Sequence, residues 1–196
     1  WAYDLRKDRL DGLIRALGAL RPSHRELRLA VLGIPNVGKS LLLNGLVGKK
    51  SAQVGAMPGI TRGVSWFRGR GFLVVDSPGI ADPHSGAAVH RWLAWIGCSK
   101  AEVIGGTDVL ALGLIAVLRE KGLWRLVEES WQVADDGGSD EALLEAVGRR
   151  LGCLVRGGKV DLAKAGKRLL DAFATGKLGR ASLEGPGEIP LWQLEE

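Results

Sequence analysis

The sequence has 196 residues, 46% of them hydrophobic, with 27 Lys+Arg against 22 Asp+Glu, which is enough apolar material for one or two packed domains and rules out a purely disordered chain. Its longest apolar stretches, such as 110–118, reach about half of the roughly 20 residues needed to cross a bilayer, and no charged-then-apolar leader opens it, so a soluble, cytosolic protein with no membrane partner is expected. Cys98 and Cys153 lie far apart without CxxC or Cys/His spacing, which argues against a zinc site or a disulfide scaffold and leaves oxygen ligands for any metal.

Along the chain, Leu10, Leu13, Ile14, Leu17 and Leu20 recur at spacings of three and four, predicting an amphipathic helix over 8–20 that Arg21 and Pro22 end. Residues 27–32 read as a short buried strand running into Gly33, and 40–46 as the helix that follows. Residues 64–67 and 72–75 read as two more strands joined by a turn at 68–71, the second leading straight into Asp76. From about Gly86 the pattern turns helical. Val89, Trp92, Leu93 and Ile96 share a face, Asp108 is placed to cap a helix over 109–120, and Ser139 one over 141–151. A last helix starts at Asp161, turns Leu162, Ala165, Leu169 and Phe173 inward, and stops before Gly176. This organisation gives an α/β unit over 1–86, an all-helical unit over 87–184 and a loosely held tail over 185–196.

Charge is unevenly divided. Residues 1–86 carry 13 basic and 6 acidic side chains, and 87–196 carry 14 and 16. Within the second part, 149–180 holds nine basic residues with only Asp161 and Asp171 as acids, a block for which nucleic acid is the usual partner. Lys164, Lys167 and Arg168 fall at i, i+3 and i+4, on one stripe of the last helix opposite Leu162, Leu169 and Phe173, and are the candidate RNA contacts. Trp92, Trp95, Trp124 and Trp131 stand at spacings more typical of core than of base stacking. His24, His84 and His90 lack partners spaced for a metal or a proton relay and read as surface or loop residues.

The chemistry concentrates at Gly33-Ile34-Pro35-Asn36-Val37-Gly38-Lys39-Ser40, which fits GxxxxGK[ST] between a strand and a helix. In that context the glycines let the backbone N–H groups from Pro35 through Leu41, Pro35 itself lacking one, curl around a phosphate chain. Lys39 reaches the β and γ phosphates, and the Ser40 hydroxyl binds Mg²⁺. Asp76-Ser77-Pro78-Gly79 closes the third strand, where Asp76 suits a magnesium-bound water and the Gly79 N–H suits a γ phosphate. Thr61, in Pro58-Gly59-Ile60-Thr61, lies in an aperiodic loop between the two motifs and is the third candidate magnesium ligand. Lys39, Thr61 and Gly79 are the candidate catalytic groups.

GIPNVGKS, PGIT and DSPG at these spacings resemble the translation-factor-related GTPases. Gly152-Cys153-Leu154 with Gly157-Gly158, then Lys177-Leu178-Gly179-Arg180, narrow the resemblance to the RbgA/YlqF family of circularly permuted ribosome-assembly GTPases, over roughly 27–184. The resemblance implies a P-loop GTPase fold followed by a helical domain, GTP and GDP as ligands, and precursors of the large ribosomal subunit with their ribosomal RNA as partners. It also implies that the guanine-reading NKxD precedes the phosphate loop. Asn36 and Asn44 are the only asparagines, so no NKxD follows Asp76 or precedes Gly33. Three strands are expected where an open α/β sheet usually has five or six, which fits a chain lacking the N-terminal, guanine-binding half.

Ile80 follows Gly79, where a glutamine would orient the attacking water, and offers no side-chain hydrogen bond. The resemblance implies that Asn36 helps hold a potassium ion beside the β and γ phosphates; the residue also simply suits a tight turn. The resulting expectation is a nucleotide-driven switch that orders Thr61 and the Asp76 loop and thereby governs RNA binding. Two rivals are a GTPase attached to RNA modification, for which neither cysteine has a base nearby in sequence, and an ATP-dependent enzyme with a helical lid, against which the basic block argues.

Overall fold

The computed structural model describes residues 5, 9–48, 65–77, 79, 85–99 and 105–185. Thr61, Ile80 and His84 lie outside these residues, as does all of the expected tail beyond Gly185. The chain divides into two compact units, Trp1–Pro83 and His84–Glu196. No helix among the described residues is long and apolar enough to cross a membrane.

The first unit runs α1 (Asp11–Ala19), β1 (Leu27–Val31), α2 (Lys39–Val47), β2 (Ser65–Gly69) and β3 (Phe72–Asp76). The strands form one sheet in the order β1-β3-β2, with β1 parallel to β3 and β2 antiparallel to it. Arg70 and Gly71, at φ 49° and 80°, make the two-residue loop between β2 and β3, and two left-handed residues are what a type I′ hairpin turn requires. Val31, Phe72 and Val74 point to the face on which Leu43, Leu46 and Val47 of α2 pack. Leu13, Ile14 and Leu17 of α1 lean on the same cluster. Leu20, expected on that face, follows the helix and is 70% exposed, because the chain leaves the helical path before the fifth apolar position comes round.

The second unit contains α3 (Ala87–Trp95), α4 (Thr107–Glu120), α5 (Arg125–Trp131), α6 (Asp140–Arg150) and α7 (Leu162–Ala174). Its core gathers side chains from all five helices, among them Trp95, Leu114, Val127, Leu144 and Leu169. Two buried tryptophans find backbone acceptors: Trp95 Nε1 donates to Leu110 O at 2.9 Å and Trp124 Nε1 to Val133 O at 3.0 Å. Trp92 packs edge-on against Trp95 at 5.2 Å. These rings are core, as their spacing suggested. α7 crosses α4 closely, since a Cβ on Gly166 would stand 2.6 Å from Thr107 O, and the Thr107 hydroxyl donates to Ala163 O at 3.0 Å across the same junction.

The helix starts are partly as expected. The Ser139 hydroxyl accepts from Ala142 N at 3.2 Å and the Asp161 carboxylate from Lys164 N at 2.9 Å, capping α6 and α7. Asp108 does not cap α4. The helix begins two residues earlier than expected, at Thr107 behind Gly106 at φ 119°, and Asp108 sits in its first turn, where its charge meets the positive end of the helix dipole. Ile96 does not join the inward face of α3; the helix stops at Trp95 and Ile96 is 45% exposed. The α5 helix was not expected, because its seven residues, Arg-Leu-Val-Glu-Glu-Ser-Trp, show only Leu126 and Val127 as buried apolar positions, too few to display a period.

A clasp of charges ties α4 to the loop ahead of α6. Arg119 donates from Nε to Asp135 at 2.8 Å and from Nη1 to Asp140 at 2.7 Å, while Asp135 also accepts from Gly137 N at 3.0 Å. The hydrogen bonds to Asp140 and then Asp135 raise the Arg119 pKa. The Gly137 N–H, followed by Arg119, holds the Asp135 carboxyl below its ordinary value.

Candidate functional site

The parallel pairing of β1 and β3 sets Val31 opposite Asp76, so the chain leaves both strands at the same end of the sheet. The loop after β1 turns through Gly33, Asn36 and Gly38 at φ 150°, 59° and 96°. Gly38 is the N-cap of α2, and the first helical bond runs from Leu42 N to Gly38 O at 2.9 Å. The N–H groups of Lys39, Ser40 and Leu41 therefore precede the helical ladder, at the positive end of the dipole, which is a ready-made site for an anion. Asn36 adopts the left-handed conformation that asparagine tolerates better than most residues, which supports its role as a turn former and exposes its side chain.

Lys39 is only 9% exposed. Its Nζ donates to Ile34 O at 2.8 Å, so the ammonium lies across the glycine loop instead of extending into solvent. The charge is legible in the glycine-lysine-serine motif, whereas its backbone anchor is not, because no residue type signals it. Asp76 is 2% exposed at the end of β3. Just beyond it the Ser77 hydroxyl donates to Val31 O at 3.1 Å, pinning the two strand ends together, a role that no local pattern announces.

The second motif comes directly against the first. A Cβ added to Gly79 would stand 2.6 Å from both Cα and N of Pro35, so only a residue without a side chain lets the loop after β3 approach the phosphate-loop backbone this closely. The structure thus brings together Pro35, Asn36, Val37, Gly38, Lys39, Ser40, Leu41, Asp76 and Gly79, while Thr61 lies outside the described residues. Among the described residues no three His, Cys, Asp or Glu side chains gather as a metal cluster. The Ser40 hydroxyl and the Asp76 carboxylate offer hard oxygen donors, the set that fits Mg²⁺ in a site completed by phosphate and water.

In the second unit Lys164, Lys167 and Arg168 are all exposed on α7. They are not equally available. Arg168 Nη1 donates to Leu151 O at the end of α6, at 2.9 Å, and Lys167 pairs with Asp171 at 3.7 Å. Arg150 does for α5 what Arg168 does for α6, donating to Trp131 O at 2.6 Å and to Gln132 Oε1 at 2.5 Å. Cations at helix C-termini are favoured by the dipole, so part of the basic block holds helix ends.

Residues 28–121 match the family described as 50S ribosome-binding GTPase. The chain is 32% identical to the Ribosome biogenesis GTPase A of Bacillus cereus over 93% of its own length and 60% of that protein. It is 31% identical to the protein of the same name from Thermotoga maritima, over 88% and 62%. The crystal structure of GNP-bound YlqF from T. maritima shares the fold, with a TM-score of 0.59 at 24% identity over 94% of this chain and 68% of that one. The chain spans about three fifths of the length of the curated relatives it matches. The chain is thus similar in sequence to proteins named Ribosome biogenesis GTPase A and similar in fold to YlqF, in line with the motifs its sequence carries.

Proposed function

We propose that this protein binds and hydrolyses GTP as a switch in assembly of the large ribosomal subunit, and that its helical unit contacts ribosomal RNA. The observation that carries the reading is the contact of Gly79 with Pro35, which sets the sensor loop after Asp76 against the loop that would hold the phosphates. In this reading the N–H groups leading into α2 bind the β phosphate and Lys39 swings from Ile34 O to the β and γ oxygens. Ser40, Asp76 and Thr61 would hold Mg²⁺, directly or through water, and the ion would neutralise charge on the phosphate oxygens. The Gly79 N–H donates to the γ phosphate, so the loop is ordered only while that group is attached.

Hydrolysis follows by in-line attack of water on the γ phosphorus, breaking its bond to the β–γ bridging oxygen and releasing GDP and phosphate. Ile80 leaves the water without a side-chain partner. Asn36 would hold a potassium ion beside the β and γ phosphates, placing positive charge where negative charge develops. The motif order is read as circularly permuted, because no NKxD follows Asp76. Lys164, with Lys167 and Arg168 as partly engaged neighbours, supplies phosphate contacts to ribosomal RNA.

Hydrolysis by the full-length protein and its Lys39→Ala variant, with GTP and ATP in competition, tests the reading. The variant loses hydrolysis and most triphosphate affinity while its unfolding profile is kept, and ATP fails to displace GTP. Equal hydrolysis by both proteins removes the phosphate-loop assignment, and equal competition by ATP removes the assignment to guanine nucleotides.

A further inference from the structure

The nine basic residues of 149–180 are not one surface. Arg149 pairs with Glu145 at 3.2 Å, and Lys167 with Asp171. Arg150 and Arg168 hold helix ends. Lys164, Lys177 and Arg180 are exposed and form no ion pair among the described residues, and the same holds for Arg156 and Lys159. Both sit on the short hairpin between α6 and α7, whose two sides meet in a bridge between Leu154 and Val160.

The base of this hairpin is fixed. Cys153 is fully buried, its N–H donates to Gly148 O at 2.8 Å, and its carbonyl accepts from Asp161 N at 2.8 Å. Val160 lies so close to α6 that a Cβ on Gly148 would overlap its Cγ1. The tip is closed by Val155 N to Lys159 O at 2.9 Å and Gly158 N to Val155 O at 3.1 Å. Gly157 and Gly158, at φ 88° and 76°, give the tip a bend that side chains rarely allow and leave its backbone bare for close approach.

Leu154 and Val155 are 49% and 48% exposed, and neither joins the core of the second unit. A rigidly anchored hairpin thus holds two adjacent aliphatic side chains in solvent, just ahead of Arg156 and across the hairpin from Lys159, within a stretch that has no acid from 149 to 160. Single exposed apolar residues are ordinary. A pair on an anchored tip flanked by unpaired cations fits a partner with a negative backbone and exposed ring faces.

We infer that the tip of the 153–161 hairpin is the principal RNA-docking element of the helical unit, with Arg156 and Lys159 on phosphates and Leu154 and Val155 against the faces of unstacked bases. This rests on the ribosomal RNA reading above and moves its centre from the α7 stripe to the hairpin. The local net charge favours RNA over an acidic protein, because phosphates meet cations at every nucleotide along a strand.

Two double variants of the full-length protein, Arg156→Gln with Lys159→Gln and Leu154→Ser with Val155→Ser, test the assignment against large-subunit ribosomal RNA over a range of salt. Thermal unfolding and GTP hydrolysis serve as controls, and both stay as in the wild type. The charge pair lowers the slope of log affinity against log salt by about 1.4 to 1.8, at roughly 0.7 to 0.9 for each phosphate no longer neutralised. The apolar pair weakens binding about tenfold with the slope unchanged, since an aliphatic contact with a base face neutralises no phosphate. If the wild type binds and both variants match it in affinity and slope, the hairpin assignment is overturned while the RNA reading stands. Variants that lose precursor particles yet bind naked RNA normally overturn it in favour of a protein partner. A wild type that hydrolyses GTP and binds no ribosomal RNA removes both readings.

Discussion

The first unit buries two charged side chains, Lys39 and Asp76, and the second buries none among the described residues. Among the described residues the first does so with a core of six buried apolar residues, against twenty-two in the second. Burial of a charge is costly unless partners compensate, and the unit with the smaller described core is the one that carries both charges. Both charges lie where β1 and β3 end. If the α/β unit binds nucleotide and Mg²⁺ as proposed, the phosphates and the ion add partners for these two charges, whereas the helical unit is held by its own packing.

The largest test of this contrast is Leu144→Ala, at a fully buried position of α6. Its cavity should lower the stability of the helical unit by about 2–5 kcal/mol. Denaturant unfolding followed by tryptophan fluorescence in a Trp1→Phe, Trp66→Phe background reads this unit selectively, because Trp92, Trp95 and Trp124 lie in its core and every remaining tryptophan belongs to it. GTP hydrolysis should be unchanged. A loss of hydrolysis at low denaturant would show that the two units are not separable.

The complementary effect is produced by nucleotide. At a free concentration about 100 times its Kd, GTP with Mg²⁺ should stabilise the α/β unit by about 2.7 kcal/mol and leave the tryptophan-reported transition where it is. Amide exchange along Leu27–Val31 and Phe72–Asp76 measures the first effect. Equal protection of both units would erase the contrast.

Acid should act on the helical unit through the Arg119 clasp. The Asp135 pKa is lowered in the fold, so its contribution to stability is fully present above the ordinary aspartate value of about 3.9. It is lost as pH falls through the lowered folded-state value. Asp135→Asn should flatten the acid limb of the stability profile while changing hydrolysis little. A parallel profile for variant and wild type would place the acid sensitivity elsewhere.

The smallest effect on stability belongs to Asn36. Its φ of 59° makes alanine a strained replacement, so Asn36→Gly is the cleaner way to remove the amide and should shift stability by only a few tenths of a kcal/mol. If Asn36 helps hold potassium, wild-type hydrolysis is faster in potassium than in sodium, and the glycine variant loses the difference. The same rate in both salts for the wild type leaves Asn36 as a turn residue.

What the sequence revealed and what it hid follow from how each feature is encoded. β1, β3 and α2 were legible because a short apolar run, a glycine loop and a helical face announce themselves within about ten residues. Ser139 and Asp161 were legible as caps because a cap is a local hydrogen bond. The packing of Gly79 on Pro35 joins residues 44 positions apart and has no local mark. Arg150 and Arg168 show the same limit. Periodicity set the surface stripe correctly, yet which cation meets a helix end depends on how neighbouring helices cross. α5 escaped notice because two buried apolar positions do not make a period.

The crossing of α7 over α4 at Gly166 has a consequence for engineering the chain. Replacing interior helical glycines by alanine is a common route to a more stable protein, since glycine costs a helix about 1 kcal/mol. Gly18 in α1 has open space where a Cβ would go and is a suitable target. Gly166 and Gly148 are not, because a methyl there would stand 2.6 Å from Thr107 O in the first case and overlap the Val160 side chain in the second. A design that ranks the three glycines by helix propensity alone would treat them alike. Only at Gly18 would it gain stability, and at the other two it would force α4 from α7 or Val160 from α6.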